Sequence, residues 1–339
     1  MKKKILNNSE LRQFERICQA SQYALMKTMY SFLQEKYKEV YYTKKFLIAV
    51  GDIPVALVAH LDTVFKQPPQ RIFYDKTHNV IWSPEGLGAD DRAGIFSIVQ
   101  IVKDGFRPTI ILTTDEEKGC LGAQALAKYV PEAPTKFKYI LELDRKGYND
   151  CVFYECDNPA FTNYIQSFGF EFDYGSFSDI SEICPKWGVA GANLSIGYYD
   201  EHSVSETLYV EYMFETIAKV ENMLKVVDEA PNFEYIKLVY EENPWGWSPA
   251  FGISLEDWIK IVTEQAKCDN CLQPDYDYNL FPLKGENGNT VRLCMDCIGK
   301  IRNIEWCERC GEGFLYSGEL TAPFLCKDCR GKENELGKN

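Results

Sequence analysis

The sequence predicts an α/β fold: a three-layer sandwich whose central sheet is mostly parallel or mixed, followed by a small cysteine-rich region. Two observations carry this. Short apolar runs bounded by turn formers recur along the first two-thirds of the chain, and segments of helical periodicity alternate with them. The runs are nearly continuous in apolar character, which is the pattern of strands covered on both faces. At 339 residues and 45% hydrophobic, the chain has material for one substantial core and an appendage.

The elements follow in order. Residues 9–38 read as an amphipathic helical lead-in with Leu11, Phe14, Ile17, Ala20 and Leu25 as packing residues. The run 55–59 (VALVA) is a strand that delivers His60. Residues 94–104 carry apolar positions at helical spacing and stop at Gly105, a good C-terminal cap residue. The run 109–114 (TIILTT) is a strand ending at Asp115-Glu116-Glu117, and a helix is expected after Gly122, before Pro131. Residues 137–143 (FKYILEL) form a strand leading to Asp144, and residues 192–196 another, leading through Gly197 to His202. A helix within 211–227 places Phe214, Ile217, Val220, Met223 and Leu224 mostly on one face, with Tyr212 beside them.

Metal-type side chains stand at the ends of these strands: His60-x-Asp62, Asp90-Asp91, Glu116-Glu117, Asp144 and His202. Ligand sites of open α/β sheets lie beyond the strand carboxyl ends. An isolated HxD is commonly a surface turn and an isolated Glu-Glu a solvated helix start. Five such clusters in order, using two of only three histidines, point instead to a two-metal hydrolase site. The third, His78 in a Lys-Thr-His-Asn stretch, reads as an exposed turn residue. Two divalent ions about 3.5–4 Å apart activate water and polarise a carbonyl. Such a pair needs a bridging carboxylate, an imidazole and a carboxylate on each side, and a further carboxylate as proton acceptor. Glu142 shares strand parity with Asp144; Asp144, nearest the strand end, is the expected ligand.

These residues carry a family resemblance. His60-Leu61-Asp62, the GADDRAG segment at 88–94, Asp115-Glu116-Glu117, Asp144 and the late His202 resemble the co-catalytic zinc exopeptidases, the clan of aminopeptidases, peptidase T-like tripeptidases and aminoacylases. The resemblance spans roughly residues 50–227. It implies a zinc-peptidase-like sandwich in which His60 and Asp144 hold one zinc, Glu117 and His202 the other, and Asp90 bridges both. It also implies Glu116 as general base and Asp62 as the partner of the His60 ring. Asp91 and Arg92 would shape the turn. Ser178-Asp179-Ile180 resembles a Ser-Asp stretch of aminopeptidase relatives, with a substrate-pocket role there. Between Asp144 and His202 the chain is too short for the lid and dimerisation domain that several branches insert. Zinc is the default metal; cobalt or manganese suit similar ligands.

Eight of the thirteen cysteines form four CxxC pairs: Cys268/Cys271, Cys294/Cys297, Cys307/Cys310 and Cys326/Cys329. The gaps within the two successive groups, 22 and 15 residues, are near those of four-cysteine zinc ribbons, so two structural zincs are expected. Sequential ribbons are favoured by distance, and a cross-braced pattern uses the same ligands. The domains are then a catalytic unit at 1–228, an aromatic linker and helix at 229–265, and a tandem zinc-ribbon region at 266–339. In the linker, Trp245, Trp247 and Trp258 are expected to pack it onto a neighbouring domain, and a helix is expected from Ser254 to Ala266. Cys18, Cys120, Cys151, Cys156 and Cys184 lack partner spacing and read as buried thiols.

Ribbons that bind nucleic acid need a basic surface. Residues 264–339 hold ten Lys/Arg against thirteen Asp/Glu, and the whole chain has a net charge of -13, which disfavours nucleic acid and favours a protein-docking or substrate-selecting module. No stretch is long enough to span a membrane, and Asn7-Asn8-Ser9-Glu10 stands where a secretory leader needs an apolar core, so the cytoplasm is expected. The expected activity is metal-dependent hydrolysis of an amide bond in a small peptide or acyl-amino acid. The competing expectation is a ribbon adaptor whose hydrolase-like domain binds a ligand or partner without turnover.

Overall fold

The computed structural model describes residues 4–238 continuously and, beyond them, only the backbone of short strands between Gln265 and Leu315. The chain divides into two compact units, Met1–Val239 and Tyr240–Asn339. The first is built on a mixed eight-stranded sheet flanked by helices. Its strands are β1 (Glu39–Tyr42), β2 (Phe46–Val50) and β3 (Ile53–His60), then, after two short strands β4 (Phe73–Asp75) and β5 (Val80–Trp82), β6 (Pro108–Thr113), β7 (Tyr139–Arg145), β8 (Asp150–Val152), β9 (Glu171–Phe172) and β10 (Gly191–Ser195). Their order is β1-β2-β6-β3-β7-β10-β8-β9. The four central strands β6, β3, β7 and β10 run parallel, and antiparallel pairs flank them.

Side-chain alternation divides the core between the two faces. Leu57, Ala59, Ile110, Leu112, Leu141 and Leu143 belong to one apolar cluster, whereas Ala56, Val58, Ile111 and Ile140 belong to the other. Helices α1 (Asn8–Cys18), α2 (Gln22–Gln34), α3 (Ala89–Lys103), α5 (Pro159–Gln166) and α7 (Val210–Lys225) supply the first cluster. Helices α4 (Leu121–Tyr129) and α6 (Asp179–Trp187) supply the second. This double cover is why the strands read as unbroken apolar runs. A second sheet of β4, β5, β11 (Tyr198–Tyr199) and β12 (Thr207–Tyr209), in the order β11-β12-β5-β4, lies in the same unit.

The helical lead-in expected over 9–38 is two helices. The break falls at Gln19, which caps the first, and Ser21, whose hydroxyl accepts from the Ala24 N–H and opens the second. Phe14 is fully buried and meets Phe96 of α3 edge-on, with ring centroids 5.5 Å apart. Phe14→Ala is therefore expected to cost about 3–5 kcal/mol of unfolding free energy, measured by urea titration.

Residues 230–238, expected in the linker, run along the first unit. Ala230 and Phe233 are buried, and the Ala190 N–H donates to the Phe233 carbonyl at 2.9 Å. The five isolated cysteines are free and buried, as read from the sequence. Among the described residues no helix is long and apolar enough to cross a membrane.

In the second unit, β13 (Gln265–Lys267) pairs antiparallel with β14 (Pro274–Tyr276). Strands β15 (Phe281–Lys284), β16 (Thr290–Leu293), β17 (Ile304–Trp306) and β18 (Gly313–Leu315) form one sheet in the order β16-β15-β18-β17. All eight CxxC cysteines and the tryptophans at 245, 247 and 258 lie outside the described residues, as do positions 254–264 of the expected helix; its last two positions belong to β13.

Candidate metal centre

His60 is the last residue of β3, and Asp144 stands one residue before the end of the neighbouring parallel strand β7. Glu116 and Glu117 open a short turn after β6. Asp90 sits at the start of α3, where it and Asp91 depart from helical geometry, and His202 lies in the loop between β11 and β12. The five clusters converge. His60 Nε2 is 3.0 Å from Asp90 Oδ1, 3.5 Å from Asp144 Oδ1 and 3.9 Å from Glu116 Oε2. His202 Nε2 is 3.1 Å from Glu117 Oε2 and 3.3 Å from Asp90 Oδ2. Asp90 thus presents one oxygen to each imidazole.

Three triads have donor atoms within 4.8 Å of one another: His60/Asp90/Asp144, His60/Glu116/Glu117 and Asp90/Glu117/His202. The first and third share Asp90. Four carboxylates facing two imidazoles, with one buried oxygen of Glu117 left without a hydrogen-bond partner, is a donor set that fits divalent cations.

The electrostatics reflect the crowding. Burial pushes the Asp144 carboxyl well above its usual range, with Asp90 adding to the rise against the opposing His60. Burial also opposes ionisation of Asp90, yet hydrogen bonds from His202 and His60 hold it below the ordinary range. Burial and Asp90 push Glu117 up to about 7, and the hydrogen bond to Asp90 pushes His202 up to about 9. The metal-free cluster therefore holds protons at neutral pH that a cation must displace. Cation affinity is expected to rise as pH passes through about 9, where His202 gives up its proton, and to level off once it is deprotonated, as measured by chelator competition across that range.

Asp62 lies with Oδ1 3.4 Å from His60 Nδ1, and its carboxylate accepts from the Glu116 and Glu117 N–H groups at 3.0 and 3.2 Å. It thereby ties the β3 ligand to the turn carrying the two glutamates. Asp115 and His202 take left-handed backbone conformations with φ of 55° and 62°. Such strain costs about 1–3 kcal/mol per residue and collects at functional sites. His78 is exposed in a turn, with Nδ1 2.6 Å from Asp75 Oδ2, and stands apart from the cluster.

Residues 49–165 match the family model described as Peptidase family M28. The matched segment carries His60, Asp90, Glu116, Glu117 and Asp144. No curated protein matches the chain. Among solved structures, the chain is similar to the aminopeptidase PepT of Bacillus cereus, at 15% identity and a TM-score of 0.54, over 66% of this chain and 99% of that one. It is also similar to a tripeptidase of Staphylococcus aureus, at 13% and 0.52, over 67% and 100%. An aminopeptidase of the archaeon Desulfurococcus kamchatkensis matches at 12% and 0.52, over 66% and 96%. At such identities these structures speak to the fold, which is the sandwich expected from the sequence.

Several contacts around the cluster escaped sequence reasoning. Asp91 Oδ2 accepts from the His60 N–H at 3.1 Å, while its Oδ1 accepts from the Gly94 N–H at 3.0 Å, so one carboxylate caps α3 and holds the end of β3. Asn193 Oδ1 accepts from the Asp144 N–H at 3.0 Å, and its amide donates to the Asp144 carbonyl at 3.0 Å. The Tyr198 hydroxyl donates to Asp144 Oδ1, and the Ser178 hydroxyl to Asp144 Oδ2, both at 3.3 Å. Ser178, singled out with Asp179 and Ile180, thus reaches Asp144 itself, and the buried Asp179 accepts from the Thr113 hydroxyl. Glu142 is fully buried, and burial with Asp144 and Asp179 nearby pushes its carboxyl well up. Of the two acids of β7, Asp144 is the one paired with His60.

Proposed function

We propose that the first unit hydrolyses an amide bond at the end of a small peptide-like substrate, using a pair of zinc ions and Glu116 as general base. The convergence of His60, Asp90, Glu117, Asp144 and His202, with Asp90 facing both imidazoles, is the observation that carries this reading. His60 and Asp144 hold one ion, Glu117 and His202 the other, and Asp90 both; cobalt or manganese are alternative occupants. When bound, such a pair polarises the scissile carbonyl and lowers the pKa of the attacking water. Glu116 is 3.9 Å from His60 Nε2 through Oε2 and carries Cys120 Sγ on Oε1 at 3.5 Å, so Oε2 is the oxygen free to take the proton. Burial pushes the Glu116 carboxyl up, towards the range in which it can both accept that proton and return it to the leaving amine. Asp62 fixes the Glu116 backbone and faces the His60 ring.

The B. cereus and S. aureus proteins, described as an aminopeptidase and a tripeptidase, support peptides as the substrate class. We place the reaction in the cytoplasm and assign the CxxC pairs of the second unit to two structural zincs, with protein docking or substrate selection as the role of that region. In support, Cys268/Cys271 and Cys307/Cys310 occupy equivalent sequence positions between paired strands: Lys267 pairs with Pro274, and Trp306 with Gly313. The test is turnover of a mixed peptide and acyl-amino-acid library by the zinc-loaded full chain. Activity lost to chelator and regained with zinc is the expected result. A folded, zinc-loaded protein inert on the whole library would overturn it.

A further inference from the structure

The loop that carries His202 is largely exposed, and its one fully buried residue is Glu206. The Glu206 carboxylate does not reach the metal-type cluster. It receives three successive backbone N–H groups from a segment more than a hundred residues earlier: Gly88, then Ala89 at 3.0 Å, and Asp90 at 3.1 Å. These amides open α3 and have no intrahelical acceptors. Gly88, at the N-cap in a left-handed conformation with φ of 68°, has no side chain with which to cap them locally. The two acids of the first turn of α3 are engaged elsewhere, Asp90 with the imidazoles of His60 and His202 and Asp91 with the His60 and Gly94 N–H groups. Successive amides converging in this way form an anion-binding hollow, here filled from within the chain.

The consequence lies in what the two ends of this link carry. One end is the backbone of Asp90, whose carboxylate is shared by two of the three triads; the other is four residues from His202. The intervening residues form a tight turn, with the Ser203 hydroxyl donating to the Asp200 carbonyl at 2.8 Å, the Ser205 N–H to Ser203 Oγ at 3.1 Å and the Glu206 N–H to the Ser203 carbonyl at 3.2 Å. Anchor, turn and ligand form one short hydrogen-bonded path from the Asp90 amide to the His202 residue. The His202 side chain, 54% exposed, has little other packing to hold it. We propose that Glu206 is a positioning residue that sets His202 in register with Asp90 and so completes the ion position formed by Asp90, Glu117 and His202. This rests on the two-ion reading above.

Two variants of the full chain separate this role from helix capping. Glu206→Gln keeps the shape but turns an amide donor towards backbone donors. A single glycine inserted between the exposed Val204 and Ser205 leaves Glu206 and its three bonds intact while lengthening the tether to His202. Each is tested for Zn2+ affinity by chelator competition, for thermal unfolding, and for kcat and KM at rising zinc. Zinc held by thiolates is counted separately, as the fraction released only after a mercurial reagent.

The expected result, for the insertion as for Glu206→Gln, is a loss of about 10–100-fold in affinity for one of the two chelator-sensitive ions, the other unchanged. The accompanying fall in kcat should be restored by excess zinc, with KM little moved. If the insertion leaves both affinities unchanged, Glu206 is a helix cap alone and the proposal fails, whether or not Glu206→Gln folds. If the unaltered protein takes up only one chelator-sensitive ion, the two-ion reading itself fails and this inference with it.

Discussion

Glu116→Gln is expected to lower kcat/KM by about 10²–10⁴-fold while leaving the zinc content of the protein unchanged. The substitution is isosteric and removes only the capacity to accept a proton. Apart from the Cys120 thiol on Oε1 at 3.5 Å, which an amide oxygen can also accept, the residue is held by its backbone: the Glu116 N–H donates to Asp62, and the turn is closed by the Gly119 and Cys120 N–H groups donating to the Glu116 carbonyl at 2.8 Å. Asp62, His60 and Asp90 keep their geometry, so KM should move little and the loss should fall on kcat. Metal analysis beside steady-state kinetics checks both halves. A variant that keeps both its zinc and its activity removes Glu116 from the chemistry. A variant that loses zinc makes it a ligand, which the proximity of His60, Glu116 and Glu117 allows as an alternative geometry. The same variant tests the adaptor alternative, in which a cellular role would survive the change.

The parts of this site legible from strand pattern are those where a ligand ends an apolar strand; Asp90 and His202 were legible through the resemblance. His60 and Asp144 follow runs whose burial on both faces makes them readable without a partner strand, and Glu116-Glu117 follows a third. The residues that hold these ligands in place were not legible. Asn193 brackets the Asp144 backbone from a neighbouring strand, and Asp91 reaches back to the His60 N–H across thirty residues; neither leaves a local signature. The same physics limits the reading of the fold. The long runs of β3, β6 and β7 declare themselves, while β4, β5, β11 and β12 are two or three residues long, too short for alternation to register. Their positions are set by pairing, as in the row Tyr199, Thr207, Trp82 and Phe73 across that sheet. The break between the first two helices turns on one hydroxyl, that of Ser21, inside a segment whose apolar spacing reads as unbroken.

Replacing Cys268 and Cys271 together by Ser is expected to remove one zinc per chain and make residues 240–339 sensitive to protease, with the first unit's unfolding unchanged. The strands described in the second unit are three or four residues long, and one of its sheets is a lone two-stranded pair, which is marginal in water by itself. Strands of that length bury too little by themselves to offset the entropy of ordering the chain. Tetrahedral thiolate binding, worth about 10–16 kcal/mol in apparent free energy in finger peptides, does. The pairing of ligands follows from which thiols the change exposes. With sequential ribbons, Cys294 and Cys297 become open to alkylation while Cys307, Cys310, Cys326 and Cys329 stay protected. With a cross-braced arrangement, one of the later pairs is exposed and Cys294/Cys297 is spared. The sheet that joins β15 and β16 of the first cysteine group to β17 and β18 of the second makes this a sharp test, because the two groups are already linked through the parallel pair Lys284 and Phe314 under either pairing. If all eight thiols react in the unaltered protein as readily as after denaturation, metal does not fold this region, and its stability has another source.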